Sequence, residues 1–240
     1  MRRPRKLPAV KFDRVGSGKV ISLALFAPPR GVSTGLPQKA NLRWYLAYLK
    51  TGIIAYRELF SEVKIWLHTN LDIDALNDDG LVRWLSNNGV LQVMQVDRDD
   101  PLCLAMMWRL MPIFAEGVEY VFCRDLDVLP LPKDRLAMED FIAHYHYYHM
   151  IYAAPVHTGF MGGMCGFRTS RVREELGGSW EAFVAQGSDW SVHGADQIFM
   201  GKKLWPALCR SGVVHLVGEA PAPPQARSKR ISSAVLDDVP

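Results

Sequence analysis

"YVFCRDLDVLP", residues 120–130, sets two aspartates one residue apart at the end of an apolar run. The run "EYVFC" (119–123) reads as a strand, and the pair follows directly on it. In an extended segment residues i and i+2 face the same way, roughly 6–7 Å apart. Asp125 and Asp127 are thus expected to aim two carboxylates at one point, with Leu126 turned into the core. Hard oxygen ligands suit Mg²⁺ or Mn²⁺, which complete their shells with substrate phosphates and water. The same two residues also fit a strand end, where Asp125 pairs with Arg124 and Asp127 caps a turn. Taken alone, the pair leaves both readings open.

Working outward, short apolar runs alternate with helical patterns. "VISLALFA" (20–27) has the length and continuous apolarity of a central parallel strand. In "WYLAYLKTGIIAYRELF" (44–60), Leu46, Leu49, Ile53, Tyr56 and Phe60 recur at three- and four-residue steps, which predicts an amphipathic helix. "VKIWLHT" (63–69) and "VLQVMQV" (90–96) read as strands, and "LCLAMMWRLMPIF" (102–114) as a helix bent near Pro112. Strand and helix in this order predict an α/β domain with a mostly parallel sheet covered on both faces. In such sheets ligands sit beyond the carboxyl ends of the strands. "APPRG" (27–31) and "RDLD" (124–127) both follow strands, so the fold is expected to bring them to one rim.

The totals agree with a globular enzyme-sized unit. The chain has 240 residues, 49% of them hydrophobic and 22% charged, which is enough material for a sizeable core. A net charge of +3 is too mild to argue for nucleic acid as a partner. The basic excess is local: Arg2, Arg3, Arg5 and Lys6 at one end, Arg227, Lys229 and Arg230 near the other. Both read as solvated arms, or at most as peripheral attraction to anionic lipid or to an acidic substrate. Residues 1–17 are read as a basic arm, 18–216 as the folded domain, and 217–240 as an extended arm or tail. Cys103, Cys123, Cys165 and Cys209 show no C-x-x-C spacing, and a reduced, cytoplasmic compartment is expected. "VISLALFA" imitates a secretion signal, but Asp13 interrupts its basic lead, Pro28 and Pro29 occupy the cleavage region, and it is too short to span a membrane.

Three later stretches keep the aspartates company. "HTGFMGGMCGFR" (157–168) sets Gly159, Gly162, Gly163 and Gly166 among bulky residues, where backbone can approach a ligand closely. "GADQIFMGKKLWP" (194–206) puts Asp196 and Gln197 at a helix start, a place where Asp often serves as a cap. "VVHLV" (213–217) carries His215 on a short apolar strand, where a lone histidine is more often a satisfied core residue than a ligand.

Taken in order, "RDLD", the glycine-rich stretch, "ADQIFM…LWP" and the late histidine resemble the GT-A fold nucleotide-sugar-dependent glycosyltransferases of bacteria and large algal viruses. The resemblance spans roughly residues 18–216. It implies a single Rossmann-like domain with a mostly parallel sheet flanked by helices. It implies transfer of a hexosyl or deoxyhexosyl unit from a UDP- or GDP-sugar to a glycan or other hydroxyl acceptor, with Mn²⁺ or Mg²⁺ as cofactor. It assigns Asp125, Asp127 and His215 to the metal, and Pro28, Pro29, Arg109, Arg124, Leu126, Gly162 and Gly163 to the donor. His157 and Gln197 fall to the sugar or acceptor, and Asp196 to catalysis. Two departures stand out: relatives commonly carry Trp at the position of Cys165 and Asp at that of Leu216.

Two other readings compete. "DLDVL" resembles the haloacid-dehalogenase phosphatase signature, in which the first Asp is the nucleophile. That signature normally follows the first strand, and no later G-D-x-x-x-D accompanies it here. A non-catalytic nucleotide-sugar-binding relative is the other reading, which retention of Asp125, Asp127 and Asp196 argues against. "HYHYYH" (144–149) lacks a shared face for a metal and reads as a helix end turning into the strand "MIYAA", with aromatic rings suited to bordering an acceptor groove.

Overall fold

Strand and helix alternate as the sequence predicts. β1 (Lys19–Leu25) leads through α1 (Gln38–Leu59) to β2 (Lys64–Thr69), and α2 (Leu81–Asn87) leads to β3 (Leu91–Gln95). α3 (Leu102–Met106) continues as a 3₁₀ helix (Met107–Phe114) and is followed by β4 (Tyr120–Arg124) and α4 (Pro132–Ala143). The second half comprises β5 (Tyr148–Tyr152), β6 (Met164–Arg168), α5 (Thr169–Leu176), α6 (Trp180–Val184), α7 (Ala195–Ser211), β7 (Gly212–Val217) and β8 (Ser228–Ile231). This computed structural model describes residues 18–26, 38–72, 80–97, 100–152, 160–187, 189–217, 222–223 and 225–231. Among the described residues no helix is long and apolar enough to cross a membrane.

The strands form one sheet in the order β3-β2-β1-β4-β6-β5-β7-β8. β6 pairs antiparallel with β4 and with β5, and the remaining pairings are parallel. Within the described residues this is the mostly parallel α/β sheet expected. The glycine-rich stretch supplies its one reversed strand, and residues 228–231 add an edge strand where an arm was expected. Helices cover both faces over separate apolar cores. One core joins Leu49, Ile53 and Tyr56 of α1 to Ile21, Leu67 and Phe122; the other joins Trp108, Met200 and Leu204 to Val121, Cys165 and Val214.

Pro112 explains why residues 102–114 do not form one α-helix. The ring removes a donor and crowds the preceding turn, and the chain tightens to 3₁₀ geometry. In that geometry the Arg109 carbonyl would accept from residue 112, which has no N–H. The Cys123 thiol donates to it instead, at 3.3 Å. The buried carbonyl is satisfied, and Arg109 is fixed beside β4.

α1 and α7 are among the helices that reach the rim formed by the strands' carboxyl ends. α1 begins after β1 has ended there, so its early turns lie near that rim. α7 runs directly into the amino end of β7. Its 17 residues cover about 25 Å and carry its first turn back to the carboxyl rim. "HYHYYH" lies at the other end: α4 ends at Ala143 and β5 begins at Tyr148. Near it Arg168 stacks on Tyr145 at 4.9 Å and on Tyr120, the first residue of β4, at 5.2 Å. The cluster therefore borders the amino rim, away from Asp125 and Asp127.

His68 on β2 is buried, and its Nε2 has no hydrogen-bond partner among the described residues. Burial alone pushes its pKa down to about 3. As pH falls from about 6.5 towards 3, the unfolded chain takes up a proton that the folded chain refuses. Stability should then drop by up to about 1.4 kcal/mol per pH unit from this group. Urea titrations across that window should show His68→Leu losing stability less steeply than the wild type; equal slopes would remove His68 from the acid response.

Candidate active site

Asp125 stands directly after β4, on the side of the 3₁₀ helix. Its carboxylate pairs with the Arg109 guanidinium. The Arg109 side chain is 8% exposed and that of Asp125 42%, so the cation is enclosed while the anion still opens to solvent. Burial works against the Arg109 charge, but Asp125 outweighs it by charge and hydrogen bond and holds the pKa above its usual value.

Gly163 meets the same carboxylate. Its carbonyl accepts from the Asp125 N–H at 3.2 Å. A Cβ at this position would fall inside the van der Waals envelope of the Asp125 carboxylate. Only glycine lets the backbone pass so close. At Gly162 a Cβ would lie 2.8 Å from Met200 Sδ and 3.2 Å from Arg109 Nη2. Gly162 therefore joins the Arg109–Asp125 pair to α7.

Asp196 is on the face of α7 that carries Met200, one turn nearer the helix start. It is 2% exposed, and its Oδ2 has no hydrogen-bond partner among the described residues. A buried carboxylate oxygen left unpaired is costly. Near the α7 N-terminus, the helix dipole and free N–H groups favour negative charge. Gln197 is exposed beside it.

Asp127 takes a different direction from the one expected. β4 ends at Arg124, and the chain turns, with the Val128 N–H donating to the Asp125 carbonyl at 3.4 Å. Leu126 is buried with the α1-side core and Asp127 is exposed. The two aspartates are thus not alternate side chains of an extended strand. They still converge electrostatically on one group: burial, then Asp127, then Asp125 raise the Tyr45 hydroxyl pKa. Tyr45 was not singled out in the sequence, because its place at the rim depends on where α1 begins.

The structure does not bring His215 to the aspartates. Its Nε2 lies 2.9 Å from Asp140 Oδ2 and its Nδ1 3.0 Å from His149 Nδ1, so α4 and β5 occupy both ring nitrogens. Lys229 of β8 binds the same Asp140. Arg124 is also turned inward, donating to the carbonyls of Cys123 at 2.8 Å and Cys165 at 3.1 Å. Pro28, Pro29 and His157 lie outside the described residues. Among the described residues no three His, Cys, Asp or Glu side chains gather to hold a metal. The acidic pair still fits a hard cation that takes one or two carboxylates and completes its shell from phosphates and water.

No protein-family model matches the sequence, and no curated protein matches it. The fold does have solved counterparts. The mannosyltransferase PcManGT from Pyrobaculum calidifontis, in complex with GDP-Man and Mn²⁺, superposes with a TM-score of 0.50 at 11% identity, over 95% of this chain and 61% of that one. The fold is of the GT-A type. A protein from Desulfovibrio desulfuricans described as a nucleotide-diphospho-sugar transferase gives 0.46 at 17% identity, over 83% of this chain and 79% of that one. TarS of S. aureus, residues of its amino-terminal part, gives 0.45 at 12% identity, over 78% of this chain and 55% of that one. The chain thus spans little more than half the length of two of these three. At such identities the likeness concerns the fold.

The two glycines should respond differently to a methyl group. Gly163→Ala must displace the Asp125 carboxylate and with it the Arg109 pair. It should lower unfolding free energy by about 2 kcal/mol or more, within the range for overpacking and for disturbing a buried charge. Gly162→Ala meets the flexible end of Met200 and, at 3.2 Å, the Arg109 guanidinium, and should cost about 1 kcal/mol, the low end of the overpacking range. Urea denaturation of both variants checks the order, and a Gly163→Ala protein as stable as Gly162→Ala would contradict the close packing at Asp125.

Proposed function

We propose that this chain is a metal-dependent glycosyltransferase that moves a sugar from a nucleoside-diphosphate sugar to a hydroxyl acceptor. The observation that carries the reading is Asp196: an enclosed carboxylate with an oxygen unpaired among the described residues, at a helix start on the rim that also holds the Arg109–Asp125 pair, the two glycines and Asp127. The GT-A fold supports it, since this fold accommodates sugar nucleotides in the mannosyltransferase complex. The fold lends no such support to a phosphatase using Asp125 as nucleophile.

In the reaction the bond between the sugar C1 and the diphosphate oxygen breaks, and its electron pair leaves with the nucleoside diphosphate. A bond from the acceptor oxygen to C1 forms, and the acceptor proton passes to Asp196. Asp127, with Asp125, would hold Mn²⁺ or Mg²⁺, which when bound supplies positive charge against that developing on the diphosphate. Arg109 keeps Asp125 in place and lends charge from below. Gly162 and Gly163, assigned to the donor by the resemblance, are buried and instead give room to Met200, Arg109 and the Asp125 carboxylate, while Gln197 is exposed where a sugar or acceptor hydroxyl can reach it.

Thermal denaturation with nucleoside diphosphates, with and without Mn²⁺, tests the binding half. At a hundred times Kd a ligand contributes about 2.7 kcal/mol, a rise of roughly 5–10 °C for a domain of this size. The rise should need both metal and nucleotide and vanish in Asp127→Asn. No shift with any nucleoside diphosphate would sink the reading. The chemical half rests on Asp196→Ser and Asp196→Asn. The capping role open to Asp196 in the sequence falls to Gly194, and Asp196 is the second residue of the helix with no side-chain cap bond; a carboxylate serving only the helix would leave turnover intact in both variants. A base predicts both variants at least ~100-fold slower in sugar transfer, with donor affinity little changed.

A further inference from the structure

The turn that carries Asp125 and Asp127 is fixed at both ends by buried charges. At its start Arg124 donates from Nη1 to the carbonyls of Cys123 and Cys165, at 2.8 and 3.1 Å. At its end Asp134 accepts the Leu131 N–H through Oδ2 at 2.7 Å. Each keeps one atom over: Arg124 Nη2 and Asp134 Oδ1 are buried with no hydrogen-bond partner among the described residues. The Tyr56 hydroxyl on α1 is in the same situation. Arg124 and Tyr56 are 2% exposed and Asp134 3%, so none of the three opens to bulk solvent.

Packing brings these atoms to one place. Tyr120, Phe122 and Arg124 share a face of β4, as alternate residues of a strand do. The Phe141 ring stands over that face, 6.0 Å from the Tyr120 ring and 6.0 Å from the Phe122 ring. α4 runs against β4, from the carboxyl rim to the amino rim, so Asp134 lies about 10 Å nearer the carboxyl rim than Phe141. About 10 Å is three residues of strand, which sets Asp134 level with Arg124. Tyr56 arrives from α1, where that helix meets the turn. A Cβ on Gly52 would lie 3.9 Å from Leu129 Cδ2 and 3.9 Å from Tyr56 Cε2, the ring atom beside the one that carries the hydroxyl. Tyr56, Phe122, Leu126 and Phe141 belong to one core. The charges agree: burial raises the Tyr56 pKa, Arg124 lowers it and Asp134 raises it, and the hydroxyl keeps its proton.

The chemistry of the three groups selects the occupant. A guanidinium N–H donates, a carboxylate oxygen accepts, and a hydroxyl does either. The two charges cancel, so an ion of either sign would meet one like charge. What fits is small, neutral, and able to donate and accept at once. We propose that one water molecule is bound beneath the aspartate turn, accepting from Arg124 Nη2, donating to Asp134 Oδ1 and completing its bonds at the Tyr56 hydroxyl. Three polar partners is the usual number for a buried water. The water joins α1, β4 and α4 and ties the two ends of the turn together. Tyr56, Arg124 and Asp134 are then positioning residues for the carboxylates above them. The water site stands on the packing; its service to a metal rests on the glycosyltransferase reading.

A crystal structure of the protein at a resolution that shows ordered water tests the site. A single density peak within hydrogen-bond distance of all three atoms is expected. No peak there, or Arg124 Nη2 bonded directly to Asp134 Oδ1, would overturn the proposal. The effect on the turn is read with Tyr56→Phe, which removes the hydroxyl and keeps the ring. Its control is Ile53→Val, which loosens the same core and touches no polar atom. Mn²⁺ binding is followed by loss of the free ion's paramagnetic resonance signal. It should be about threefold to tenfold weaker in Tyr56→Phe, the effect of one hydrogen bond, and unchanged in Ile53→Val. Wild-type affinity in Tyr56→Phe, or an equal loss in both variants, would show that the site does not position the carboxylates. A wild type that binds no Mn²⁺ would count against the metal-dependent reading instead, while the density peak would still decide the water.

Discussion

The contact of Arg109, Asp125 and Gly163 constrains everything around it. A guanidinium buried beneath the sheet's rim must keep its counter-ion, because losing it leaves an enclosed positive charge unpaired. The carboxylate that answers it fills the space a side chain at residue 163 would need. The chain must therefore cross the rim at Asp125 as bare backbone before it can enter the sheet. β5 runs towards the rim, and the chain is still at the rim at Gly163. The strand that starts there can only run back down. The one reversed strand of the sheet follows from this crossing.

The thiols beneath the crossing complete it. Cys123 and Cys165 face each other across β4 and β6. Each donates to a carbonyl of the residues that build the site: Cys123 to Arg109 and Cys165 to Gly162, both at 3.3 Å. Burial, reinforced by Cys123, pushes the Cys165 thiol well above its usual pKa, so it stays a protonated donor. A small weak donor suits the narrow space under two glycines, and this gives a structural reason for cysteine where the resembling family commonly has tryptophan. Pro112 belongs to the same arrangement, since its missing N–H is what leaves the Arg109 carbonyl in need of the Cys123 thiol.

The parallel half of the sheet was legible because its strands are continuous apolar runs and α1 repeats its apolar residues at helical spacing. The rim location of the aspartates followed from strand order alone. β6 was not legible: "MCGFR" is short and glycine-bearing, and its direction depends on the Asp125 crossing. α4 was legible only at its end, where "HYHYYH" reads as a helix turning into a strand; its start was not, although Pro132 opens it and Asp134 accepts from the Leu131 N–H at 2.7 Å, because its apolar face is too sparse to stand out. The extended geometry assumed for Asp125 and Asp127 failed because the chain turns at once after Arg124. Tyr45 carried no signal of its own; its meaning comes from the carboxylates that face it.

Burial by itself does not single out a candidate polar group in this molecule, as the comparison of His215 with Asp196 shows. Both are almost wholly enclosed. His215 spends both ring nitrogens on Asp140 and His149, and Asp140 in turn holds Lys229, so the chain of contacts joins β7, β5, α4 and β8. A parallel edge strand as short as β8 gains from such a tie, because four residues of ladder bury little. His149 still leaves its Nε2 unpaired, and so does His68, yet both lie within the sheet, and burial favours the neutral ring in each. A histidine can meet an apolar setting by losing its proton, at modest cost. Asp196 differs in place as well as in kind. It stands in the first turn of a helix that begins at the carboxyl rim, beside that helix's free N–H groups. A ring nitrogen left unpaired in the sheet's interior is met by a neutral ring; a carboxylate oxygen has no retreat so cheap, which is why the proposed chemistry rests on Asp196.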